Sequence, residues 1–289
     1  MANILRMDLY RLVHGKSLWI FLAVIVVLAA AGAGTMAVVT DPAFIDSLKV
    51  AYTNSAPASV NIGFSSPSPS ASDLAEADAA VALLAQGMTA EALIGNVFLG
   101  GGGLSCLFAV FVAIFLAAEF ESGFSKNVFT VQPNRFTYLA ARTIEILILA
   151  VLFTVLMIAA TFATAAVTGL EIVSTPAGDL ALWTALVTLA AAGFGMITAL
   201  AVWITRKMAA GIVIGIVVGA GLVGLALKTV LVLFPSAPPL TDYTLSSCMS
   251  SLALGLAGPL GAPHIALVSV AFIAVAAVAS AVVLQRKDI

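Results

Sequence analysis

Three groups of residues in this chain are of types that could do chemistry: a Gly15-Lys16-Ser17 tripeptide, the cysteines Cys106 and Cys248, and the histidines His14 and His264. The tripeptide invites comparison with a phosphate-binding loop. That loop needs a further glycine five positions before Gly15, after a buried strand. Tyr10 stands there instead, within an amphipathic stretch, so nucleotide binding is not expected. The cysteines match no CxxC or zinc-ligand spacing and read as small buried side chains. His14 and His264 fall near opposite faces of the membrane and cannot share a metal, so no metal site is expected. There is no HExxH and no GxSxG. No catalytic residue is assigned, and the chain is expected not to be an enzyme. Gly100–Gly103 open an apolar run, where close helix packing is the expected use.

Two ionisable residues lie within apolar runs, Glu145 and Lys228. Each is near enough to a run's end to snorkel toward the interface, which is the reading adopted. The absence of central charges argues against a proton- or sodium-coupled carrier. Gly211, Gly215 and Gly219 recur every four residues, leaving one helix face bare for a neighbouring helix. That face serves either packing within the chain or a dimer interface. The most distinctive segment is 119–142, where Phe120, Phe124 and Val128 form an apolar stripe while Glu121, Ser125 and Lys126 face elsewhere. A stripe of this kind can dock on a soluble partner or lie in the interface.

The elements that carry these residues follow from composition. Of 289 residues, 62% are apolar and 9% charged. A soluble fold of this size carries about 25% charge. The fold class expected is therefore an all-α membrane protein. A spanning helix needs about 20 apolar residues, and six segments qualify: 17–39, 96–118, 143–170, 180–205, 209–234 and 264–284. Residues 1–16 form an amphipathic helix on the cytoplasmic leaflet, with Arg6, Asp8, Arg11 and Lys16 toward water. Residues 40–95 form an extracellular loop, Ser/Pro/Ala-rich at first. An amphipathic helix over 73–94 then places Leu74, Val81, Leu84, Met88 and Leu93 on one face. Segment 235–263 is an outer connection and 285–289 a cytoplasmic tail.

Charge tests the count. Of the twelve Lys and Arg, Arg6, Arg11, Lys16, Lys126, Arg135, Arg142, Arg206, Lys207, Arg286 and Lys287 fall on one side if the spans alternate, and only Lys49 and Lys228 on the other. Most acids, among them Asp41, Glu91, Glu171, Asp179 and Asp242, map opposite the basic cluster. The positive-inside rule then puts both termini in the cytoplasm. The first apolar run is too long for a cleaved signal segment. The net charge of −2 offers no surface for nucleic acid.

In this order of features the sequence resembles the permease subunits of type-2 ABC exporters. The likeness starts at Met7-Asp8-Leu9-Tyr10-Arg11-Leu12 and passes through Lys16-Ser17 into the first span. It continues in Glu119-Phe120-Glu121-Ser122-Gly123-Phe124-Ser125-Lys126-Asn127 and ends at Arg286-Lys287-Asp288-Ile289. The resemblance implies a prokaryotic plasma-membrane protein that pairs with a second permease copy or paralogue. It implies that a separate ATP-binding subunit holds Mg-ATP, with no cofactor in this chain. In that subunit would dock a coupling helix within 119–142, through Glu119, Phe120, Glu121, Gly123, Phe124, Lys126 and Asn127. It implies further that 235–263, with Pro235, Pro238, Pro239, Gly255, Gly258 and Pro259, re-enters the outer leaflet. An amphiphilic drug, peptide antibiotic or lipid-like substrate would suit the smooth apolar interior. The other reading is an ATP-independent carrier, or a sensor that uses the outer loop.

Overall fold

The structure, a computed structural model, describes residues 2–41, 43–44, 47, 88–122, 135–170, 172–233 and 240–286. Within lipid every backbone N–H and C=O must be satisfied inside the segment, and helices do this. The described chain is accordingly a helical bundle. An N-terminal helix α1 (Ala2–His14) breaks at Gly15 into α2 (Lys16–Val39). The other long helices are α4 (Gly103–Glu121), α5 (Arg135–Thr168), α6 (Ala177–Thr205) and α10 (Ala262–Arg286). Between α6 and α10 lie α7 (Met208–Gly219), α8 (Leu222–Val232) and α9 (Leu245–Leu252). A short α3 (Ala90–Ile94) runs through a π-helical turn, Gly95–Leu99, toward α4. Among the described residues five helices are long and apolar enough to cross a membrane, or six if α7 and α8 count as one bent span.

α6 is the axis of the bundle. It packs against α4, α5, α7, α9 and α10 and buries Trp183, Phe194 and Trp203. α2 lies outside, against α5 and α4, where Phe21 meets Phe111 edge-on at 5.3 Å. Phe108, Phe111 and Phe153 fill the space beneath. The glycine stripe of α7 sets the closest approach. A Cβ on Gly211 would sit 2.5 Å from Val202, one on Gly215 2.9 Å from Ala109, and one on Gly219 2.9 Å from the Cys106 amide nitrogen. That face is filled by the chain's own α4 and α6.

The structure departs from the sequence-based expectation in four places. The helix that carries the expected span 143–170 begins earlier, at Arg135, because the Arg142 charge that suggested a helix end is paired inside the protein. The expected span 96–118 is interrupted. Gly102 takes a left-handed φ of 71°, and a Cβ there would lie 2.3 Å from the Gly219 carbonyl oxygen. A side chain is thus excluded twice over, and α4 starts only after it. The expected span 209–234 is two helices, bent by 51° at Ala220–Gly221. Finally, Met88 is not helical. Met88–Thr89 (β1) pairs in parallel with Ile172–Val173 (β2), a short ladder joining two loops at one end of the bundle. The rest of the expected helix over 73–94, up to residue 87, lies outside the described residues.

Candidate functional site

The opposite end of the bundle is where Arg11, Glu119, Arg135, Arg206 and Arg286 lie. There α4 ends and α5 begins, and the two are joined by residues 122–134. α5 has 34 residues, and at about 1.5 Å each it is about 51 Å long, well over the ~30 Å of hydrocarbon. Its first turns carry Tyr138 and Arg142.

Four elements of charge and one phenol meet there. Glu119, near the end of α4, is fully buried. The Arg142 guanidinium pairs with its Oε1. Arg11 reaches the same oxygen from α1 at 3.0 Å. The Tyr138 hydroxyl donates to Oε2 at 3.0 Å. Arg142, also fully buried, pairs in addition with Glu145 one turn along α5. Arg11 donates to the Phe115 carbonyl at 3.2 Å and lies over the Phe115 ring at 4.4 Å. Arg142 stands 5.1 Å from the centre of the Tyr138 ring. Two guanidinium groups face two carboxylates, so the cluster is neutral. Neutrality and hydrogen bonds are what make buried charge tolerable in a low dielectric. Beside it, Arg135 donates to the carbonyls of Leu284 and Gln285, closing the last turn of α10. This is the polarity that the helix dipole favours at a C-terminus.

The residues singled out by sequence separate into three groups. Glu119 turns inward and becomes the hub of the cluster. Phe120 is half-buried against the core, and Glu121 is exposed. Gly123, Phe124, Lys126 and Asn127 lie outside the described residues. Glu145 does not snorkel: it is buried and held by Arg142, which overturns the expectation for it. Lys228 is exposed on α8 and makes no ion pair among the described residues. Sequence reasoning passed over Arg11, Tyr138 and Arg142 as partners. The signal available was local: Arg142 and Glu145 are three residues apart on one helix face.

Among the described residues no three His, Cys, Asp or Glu gather to hold a metal, and both cysteines are free. The run Gly219-Ala220-Gly221-Leu222-Val223-Gly224 has the GxGxxG spacing of dinucleotide sites. It joins α7 to α8 with no strand before it, so the strand–turn–helix that gives this motif its meaning is missing. The cluster fastens α1, α4 and α5 into one unit at the base of 122–134. A comparison with protein-family models finds no match to the chain, and a comparison with curated proteins finds none either.

Proposed function

We propose that this chain is the membrane-spanning permease subunit of an ABC exporter, with a separate ATP-binding subunit docking on 119–142. In this reading it sits in a prokaryotic plasma membrane with both termini in the cytoplasm, pairs with a second permease, and moves an amphiphilic drug, peptide antibiotic or lipid-like molecule. The observation that carries the reading is the buried cluster of Arg11, Glu119, Tyr138, Arg142 and Glu145. It grips both helices that flank 122–134. A subunit pressing on that segment would meet a rigid base rather than two loose helix ends. The push would pass into α4 and α5 together, and through Arg11 into α1. Packed, discretely arranged elements are what carries such coupling.

Two further features support a permease. The segment leading into α4 breaks at Gly102 and the pair α7–α8 bends at Gly221, two glycine breaks that lie side by side, as in broken helices of transport proteins. α9 begins at the level of the middle of α6, where the Leu245 side chain meets Gly193, and packs within the bundle. Irregular backbone at that depth is tolerated where protein buries it, which fits an outer re-entrant element.

The test is purification in mild detergent from the native host, followed by an ATPase assay on the complex. Co-purification of a P-loop subunit, lost on substituting Phe124 by Asp, supports the reading. Recovery of this chain alone with no ATPase activity overturns it and favours an ATP-independent carrier or sensor.

A further inference from the structure

At the end of the bundle away from the ion-pair cluster, Glu91 is a carboxylate in an unfavourable medium. It is the second residue of α3, and 8% of its surface is accessible. Its Oε1 is buried with no hydrogen-bond partner, and Oε2 lies against Gly255, where an added Cβ would be 3.1 Å away. An ionised carboxylate buried without a partner is costly, and the usual relief is a proton.

The seam around Glu91 leaves no room for adjustment. One turn on, a Cβ on Gly95 would sit 2.0 Å from the Ala253 carbonyl oxygen. The Trp183 indole N–H donates to the Leu252 carbonyl at 2.9 Å, tying the same turn to α6. Thr89 caps the start of α3 by accepting from the Ala92 amide, and β1 holds that start to β2. Glu91 is therefore clamped between α3 and the Ala253–Gly255 turn. The charged group that acts on it is Asp179, in the first turn of α6, a like charge. Among the described residues, β1, the π-helical turn, the adjoining ends of α2 and α5, and the Ala253–Gly255 turn bring no titratable side chain. α9 brings only the buried thiol of Cys248. Glu171 lies outside the described residues. Burial first, and Asp179 second, push the Glu91 carboxyl above its ordinary range.

We propose that Glu91 is a proton-binding latch: protonated, it keeps α3 seated on the Ala253–Gly255 turn, and on losing its proton it loosens that seam. Opening returns the carboxyl to water and to an ordinary value near 4.5. The closed seam binds the proton more tightly than the open one. Its advantage is complete below that ordinary value and is lost as pH rises through the raised one. Between the two values the opening equilibrium grows about tenfold per pH unit, and above them it levels off. This latch does not depend on the exporter reading.

The experiment is hydrogen exchange of segment 90–99 in the full chain in lipid nanodiscs, over a pH series and corrected for intrinsic exchange. In the wild type, protection should fall by up to about tenfold per pH unit and then level. Glu91→Gln should abolish that dependence and leave the segment better protected at neutral pH. Asp179→Asn, by removing the like charge, should move the wild-type curve to lower pH. A flat wild-type curve, a Glu91→Gln variant that keeps the pH dependence, or a curve that follows sodium concentration at fixed pH would each overturn the latch. Should Glu91→Gln fail to assemble, an unshifted Asp179→Asn curve overturns it equally.

Discussion

Arg142→Met is the most informative perturbation of the basic end. The guanidinium is fully buried and stands between Glu119 and Glu145, both held within the bundle. Methionine replaces much of its volume and none of its charge. Removing one partner of a buried ion pair costs about 3–5 kcal/mol, because the remaining charge is left uncompensated. That corresponds to a factor of roughly 10² to 4 × 10³ in the unfolding equilibrium. The cost should be largely recovered in the triple variant Arg142→Met, Glu119→Gln, Glu145→Gln, since the penalty comes from uncompensated buried charge and this variant leaves neither carboxylate charged. Arg11 would then face a neutral Glu119→Gln side chain, but it is 36% exposed and can turn to water. The assay is reversible unfolding by a denaturing detergent in mixed micelles, followed by the fluorescence of the buried Trp183 and Trp203. A single variant within about 1 kcal/mol of wild type, or a triple variant no more stable than the single, would refute the premise that uncompensated charge dominates this site. The triple variant also separates stability from coupling. If the cluster is the lever proposed, it should fold and still fail to couple ATP hydrolysis to transport.

Other outcomes follow from the packing. Gly215→Leu should lower the yield of monodisperse protein by size-exclusion chromatography, because a Cβ alone would already meet Ala109 at 2.9 Å, and overpacking of this kind costs about 1–3 kcal/mol. Trp183→Phe removes the indole N–H bond to the Leu252 carbonyl, which keeps the Gly255 amide as a donor; a loss of about 0.5–1.5 kcal/mol is expected, read as a lower thermal midpoint in detergent. Phe124→Asp should leave insertion and expression intact while abolishing co-purification of the ATPase subunit, since it puts a charge into an apolar docking contact; normal co-purification would remove Phe124 from that role.

Much of the architecture was legible in the chain. Apolar runs long enough to span, with only 9% charge, leave few soluble alternatives, because lipid requires helices that satisfy their own backbone. The alternation of Lys and Arg along those runs marked the end of the bundle where the ion-pair cluster lies. The four-residue glycine period on α7 marked a face of close approach, since that spacing is a property of one helix. Local signals of this sort depend on residues a turn or two apart, and a sequence displays them directly.

What the sequence could not display depends on which residues meet across the fold. Glu119 read as an exposed docking residue and Glu145 as a snorkelling one; each is instead buried, because Arg142 faces both from one turn of α5 and Arg11 arrives at Glu119 from a helix far earlier in the chain. The interruptions at Gly102 and Gly221 are likewise tertiary. The bend after Gly219 brings its carbonyl onto Gly102, and neither glycine's own surroundings in the chain announce the other. Glu91 is the same case at the other end, an acid counted toward an outside loop that the Ala253–Gly255 turn encloses. Sequence by itself determined that this chain forms apolar helices and which end of them is basic, because both are summed from single residues. The tertiary structure alone decided which charges are buried and paired, because the cost of a charge is set by what surrounds it.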